Sequence, residues 1–142
     1  MDCEFCDGDG GPVLWRDGFC RIVRARSRDY AGFCRVILNR HVREMTDLSS
    51  AERARLMDAV FACESALREL FDPDKVNLAS LGNLVPHLHW HVIARHADDP
   101  HFPDPIWAAP RRASAPPRAS RNDVSDARLG TRLAALLAQA AA

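Results

Sequence analysis

Residues 75–95, KVNLASLGNLVPHLHWHVIAR, contain two apolar-rich runs, 75–81 and 88–95, joined through Gly82 to Pro86. Both runs have strand character. A link this short cannot carry the crossover that parallel neighbours need, so the two strands are expected to pair antiparallel. At the start of the second run, His87, His89 and His91 alternate with Leu88, Trp90 and Val92. Side chains on a strand point alternately to opposite faces, so the imidazoles share one face and the apolar residues the other. Leu88, Trp90 and Val92 would then cover the core. The three rings would line an accessible groove, about 6.5 Å from one to the next.

Upstream, VLWRD (13–17) and FCRIVRA (19–25) read as a hairpin turning at Asp17-Gly18, and FCRVILN (33–39) as a further short strand. Ser49 with Glu52 fits a capping box. Behind it Leu56, Val60, Cys63, Leu67 and Leu70 recur at helical spacing up to Phe71, where DPD (72–74) ends the helix. The expected fold class is α+β, a mostly antiparallel five-stranded sheet with a long helix on one face. Past Trp107 the chain becomes rich in Pro, Ala, Ser and Arg and reads as a linker over 109–124. Residues 125–142 read as a C-terminal helix with Leu129, Leu133, Leu136 and Leu137 on one side. Gly130 would weaken that helix by about 1 kcal/mol relative to alanine. The pattern separates a domain over 1–108, the linker and the helix; whether the helix covers its own subunit or a partner stays open.

A chain of 142 residues is long enough for one core without disulfide staples. Its 19 basic and 19 acidic residues cancel, so no global field attracts DNA or an anionic membrane. MDCEFCDGDG lacks the basic start and apolar stretch expected of a signal peptide, no run reaches the length of a membrane span, and a cytoplasmic location is expected. Of the five cysteines, Cys20, Cys34 and Cys63 lie singly in apolar patterns, as small buried hydrophobes do. Cys3 and Cys6 form a C-x-x-C with the spacing of a zinc knuckle. A structural zinc needs four ligands, and no second C-x-x-C exists; no βα pattern follows the motif, which speaks against a thioredoxin-like pair. For the histidine row, metal ligation and nucleophilic catalysis both suit the residue type, and spacing alone does not choose.

The stretch PHLHWHVIARHADDPHFPDPIW, with NRHVREMTDLSSAE upstream and the N-terminal C-x-x-C, resembles the histidine triad (HIT) family of nucleotide-binding hydrolases and transferases. Within that family it looks most like small bacterial, diadenosine tetraphosphate hydrolase-like members. His87, Leu88, His89, Trp90, His91, Val92 and Ile93 match the family signature at every position, and the likeness runs from Cys3 to about Trp107. It implies a HIT-like fold and a purine nucleotide cleaved at its α-phosphorus. His89 would be the nucleophile, His91 would stabilise phosphate charge, and the backbone carbonyl of His87 would orient His89. Asn77, Gly82 and Asn83 would bind the phosphate side of the substrate.

The likeness also implies a zinc held by Cys3, Cys6, His41 and His87, and a homodimer. Trp107 would reach the partner's pocket or fasten a loop to its own domain. Leu84 and Phe33 stand where many family members carry a serine and a histidine, and Ala25 where a ribose-binding polar residue is common; Asp29 would replace it only if the loop shifts. A zinc-stabilised nucleotide-binding or interaction module with faded catalysis is therefore the alternative. His96 and His101 are expected at the surface without a role. Arg111, Arg112, Arg118 and Arg121 form a basic patch expected mainly to be solvated.

Overall fold

The computed structural model describes residues 2–114, 121 and 123–142, so part of the expected 109–124 linker, Arg118 included, lies outside the described residues. A four-residue helix, α1 (Glu4–Asp7), follows Cys3 as its N-cap and contains Cys6. Strands β1 (Val13–Arg16) and β2 (Cys20–Arg24) follow as a hairpin. Asp17 builds the turn: its Oδ1 accepts from the backbone N–H groups of Phe19 and Cys20, both at 2.8 Å. After β3 (Phe33–Leu38) and a 3-10 turn (Met45–Asp47) comes α2 (Ser50–Phe71), with the reciprocal Ser49–Glu52 capping box in place. Strands β4 (Lys75–Ala79) and β5 (His89–Arg95) complete the sheet, and α3 (Asp126–Ala140) closes the chain.

The sheet has five strands in the order β1-β2-β3-β5-β4, antiparallel throughout, as the α+β reading expects. β5 is inserted between β3 and β4. It brings Arg35 opposite His91, Ile37 opposite His89 and Asn77 opposite Ile93. One face of the sheet packs under α2, where Ile22, Cys34, Val36, Leu88 and Val92 meet Leu56, Val60, Cys63 and Leu67. Burying each such aliphatic side chain contributes about 1.5–3 kcal/mol. The three solitary cysteines all lie in this core.

The opposite face, which carries the histidines, is not an open groove. His87, His89 and His91 are only 0%, 6% and 8% exposed. Period-two alternation places the rings on one face but says nothing about what lies above it. Here α1 and the loop bearing Trp107 fold over them.

The C-terminal helix packs in the same core as α2. Leu129 and Leu133 are fully buried there. Arg24 fastens the entry to α3, donating to the Val124 carbonyl at 2.6 Å and to Asp126 at 3.0 Å. Arg132 pairs with Glu69 of α2. Gly130 has a packing reason: a Cβ there would lie 2.7 Å from the carbonyl oxygen of Leu14. Gly130→Ala should therefore destabilise the protein although alanine is the better helix former by about 1 kcal/mol. Urea unfolding should show a lower midpoint, and a raised midpoint would mean that α3 does not dock this closely.

Candidate active site and metal cluster

His87 has the most constrained ring of the row. Its Nε2 lies 2.6 Å from the carbonyl oxygen of Leu38. A carbonyl only accepts, so Nε2 carries the proton and Nδ1 holds the lone pair. The carbonyl of His87 in turn lies 2.6 Å from His89 Nδ1, which makes that nitrogen the N–H donor and leaves His89 Nε2 unprotonated. Burial lowers the pKa of both rings, with the hydrogen bonds to Leu38 and His87 partly opposing it. Burial also pulls His91 down to about 4, assisted by His89 and Arg35, so this ring is neutral at pH 7.

Aromatic side chains pack around these rings. Phe5 stands edge-on to His89 with centroids 4.9 Å apart, and the His89 and His91 rings meet edge-to-face at the same separation. Trp107 lies 5.0 Å from His91, and Phe33 lies 5.7 Å from it. Trp107 thus covers the triad of its own chain while remaining 51% exposed. His91 Nδ1 is buried with no hydrogen-bond partner among the described residues.

His87 Nδ1 points into a second constellation. Cys3 Sγ lies 3.3 Å from it, Cys6 Sγ 3.5 Å and His41 Nδ1 3.2 Å, while Cys6 Sγ and His41 Nδ1 are 3.4 Å apart. All four ligand atoms lie within 4.8 Å of one another. Bond lengths of about 2.3 Å to sulfur and about 2.0 Å to nitrogen put the vertices of a zinc tetrahedron roughly 3.3–3.8 Å apart, so this cluster has the size of a zinc site. The tautomer of His87 fits as well, because its other nitrogen donates to a backbone carbonyl, the usual outer partner of a metal-bound histidine. Cys3, Cys6, His41 and His87 therefore form a metal-binding cluster suited to zinc, with the ligand set expected from the resemblance.

The turn after β4 has Gly82 at φ +73°, a left-handed conformation that favours glycine. Asn83 is exposed beside it, and Leu84, which carries no hydroxyl, is 97% exposed. Asn77 lies on the histidine face, but its Oδ1 accepts from Arg95 Nη1 at 2.8 Å. The amide oxygen is thus engaged by the protein, and the NH2 group makes no hydrogen bond among the described residues. Arg95, 1% exposed, also donates to both carboxylate oxygens of Asp99 and to the carbonyl of Asp104. Ala25 packs with Tyr30, Phe33 and Ile93 and offers no ribose contact. Asp29 lines a small cavity with Phe71 and Ala94.

His96 and His101 differ from the expectation of surface rings. His96 is 8% exposed, and His101 Nδ1 contacts the hydroxyl of Tyr30 at 2.5 Å. The cause is Asp99, whose carboxylate accepts from the backbone N–H groups of His96, His101 and Phe102 and so folds the polar loop back on itself. Arg111, Arg112 and Arg121 are likewise tied down, to Asp104, to the carbonyls of Asp99 and Phe102, and to Asp98. Sequence patterns do not single out Phe5, Arg95 or Asp99. Phe5 had one signal: between two thiols aimed at a common point, its side chain must be directed elsewhere.

With this geometry the chain belongs to the HIT domain family, whose family model matches residues 11–98. Its fold is that of the HIT-family nucleotide-binding proteins. A histidine triad protein of Bradyrhizobium japonicum is 26% identical with a TM-score of 0.73, over 88% of this chain and 92% of that one. A histidine triad (HIT) protein of Sinorhizobium meliloti is 25% identical with a TM-score of 0.71, over 87% and 90%. A Zn-bound histidine triad family protein of Mycobacterium smegmatis shares the fold at 24% identity and a TM-score of 0.59, over 99% and 96%. No curated protein matches the chain. No helix among the described residues is long and apolar enough to cross a membrane.

Purified protein should carry about one zinc per chain by elemental analysis, and Cys6→Ser should lower both metal content and thermal stability. Full zinc content in a Cys3→Ser/Cys6→Ser double variant would contradict the ligand set. The loop network makes an acid prediction. Burial raises the Asp99 pKa, but Arg95 and the backbone N–H groups outweigh it and hold the carboxyl down at about 2, against about 3.9 in an unfolded chain. Its stabilisation is present above about pH 4 and is lost as pH falls towards 2. Chemical denaturation at stepped pH should show this decline, and Asp99→Asn should be less stable at pH 7 with a shallower decline below pH 4.

Proposed function

We propose that this protein is a nucleotide hydrolase or transferase of the diadenosine tetraphosphate hydrolase type. It would cleave a phosphoanhydride or phosphoramidate bond at the α-phosphorus of a purine nucleotide. The observation that carries this reading is His89, neutral, with Nδ1–H held by the His87 carbonyl and Nε2 left as a lone pair. Nε2 attacks the α-phosphorus and the bond to the leaving group breaks, with the electron pair departing on that group. The nucleotidyl-histidine formed is then attacked by water or another acceptor, which returns His89 to its starting state. His91, neutral at pH 7, acts as an N–H donor to a non-bridging oxygen where charge develops.

His87 is a positioning residue. It holds His89 through its carbonyl and the N-terminal segment through its ring. Asn77 supplies its NH2 group, and the backbone near Gly82 and Asn83 supplies N–H donors for the phosphate side. Zinc on Cys3, Cys6, His41 and His87, when bound, supplies a structural cross-link between α1 and the ends of β3 and β5; the Zn-bound relative supports this. A homodimer and a cytoplasmic location belong to the same reading, and the half-exposed Trp107 is available to a partner subunit.

A second reading is favoured by Phe5, which packs edge-on to His89 and leaves it only 6% exposed. It is a zinc-stabilised nucleotide-binding or interaction module with weak or no catalysis. Turnover of diadenosine tetraphosphate and adenosine 5′-phosphoramidate by the wild type and by His89→Ala separates the two. The catalytic reading expects a loss of roughly 10⁴-fold or more in the variant. Equal turnover by both proteins rejects it, and nucleotide affinity without turnover by either selects the module.

A further inference from the structure

Arg35 is the one basic side chain in the β3 run, and it lies on the histidine face directly opposite His91. It is half-buried. No carboxylate among the described residues lies within ion-pair distance of it; Glu4 acts on it from farther away and only partly opposes the cost of its burial. Among the described residues its side chain makes a single long hydrogen bond, 3.4 Å from Nη1 to the carbonyl of Gly10. The guanidinium is instead supported from beneath, 5.3 Å over the ring of Phe33, which itself packs beside His91. The other arginines of this face are consumed, Arg16 by an ion pair with Asp9. Arg21 is spent on the carbonyls of Phe5, Gly8 and Asp9 and on Asn39, and Arg95 on Asp99, Asn77 and Asp104.

A half-buried cation is costly unless something compensates it, and the guanidinium's planar fork of donors matches phosphate oxygens. A ring beneath it restrains the guanidinium without using its N–H groups. We propose that Arg35, resting on Phe33, binds the phosphate chain of the nucleotide and selects polyphosphorylated substrates over those whose leaving group is small and uncharged. Phe33 then supports a cation in place of a histidine, and Arg35 supplies phosphate-binding donors that Leu84 and Phe33 lack. This inference rests on the proposed nucleotide chemistry for its catalytic consequence, but its binding consequence is independent of turnover.

Two measurements test it. In the catalytic arm, Arg35→Met keeps the packing on Phe33 and removes the donors. It should lower kcat/KM for diadenosine tetraphosphate at least ten times more than for adenosine 5′-phosphoramidate, with Arg35→Lys between the two. In the binding arm, with His89→Ala as background, Arg35→Met should raise the Kd of ATP at least tenfold. The Kd of adenosine should be unchanged, and the salt dependence of ATP binding should become shallower. Equal effects on both substrates, or unchanged ATP affinity, overturn the role of Arg35. If no protein turns over either substrate, catalysis is refuted while the ATP-to-adenosine comparison still decides Arg35; circular dichroism of each variant verifies the fold.

Discussion

The bonds made by His87 set the geometry of everything around it. One imidazole donates through Nε2 to Leu38, aims Nδ1 at two thiols and a second histidine, and lends its backbone carbonyl to His89. Because a ring holds one proton when neutral, the Leu38 bond decides the tautomer, and the tautomer decides that the cluster side is a lone pair. Moving any of these partners would disturb the others. The metal cluster and His89 are therefore parts of one arrangement joined through His87.

The same face is closed over from two sides. α1 is only four residues long and has little stability of its own, yet the cluster and Arg21 hold it so that Phe5 covers His89. On the other side, Arg95 and Asp99 form a buried pair that ties the polar loop to β5 and brings Trp107 over His91. A pair this buried is held by its full set of hydrogen bonds, since either charge alone would be strongly unfavourable there. Burial lowers the pKa of all three imidazoles and favours their neutral form.

Local chemistry determined much of this protein. The alternation from His87 to Val92, the Asp17 turn, the Ser49–Glu52 cap and the helical spacing to Phe71 each depend on neighbours a few residues apart, so they are legible without coordinates. The zinc ligand set was also within reach, but through the resemblance rather than through spacing, since Cys6 and His87 are 81 positions apart. What the sequence left undecided needed long-range packing. The helix over 125–142 had an apolar side that could face either its own core or a partner, and only the contacts of Leu129, Leu133 and Gly130 assign it to its own.

The covering of the triad, the inward turn of His96 and His101, and the opposition of Arg35 to His91 were likewise decided by tertiary structure alone. A strand's period says which side a residue takes. It carries no information about which other strand lies beside it or what segment closes over it, because those contacts form between residues far apart in the chain.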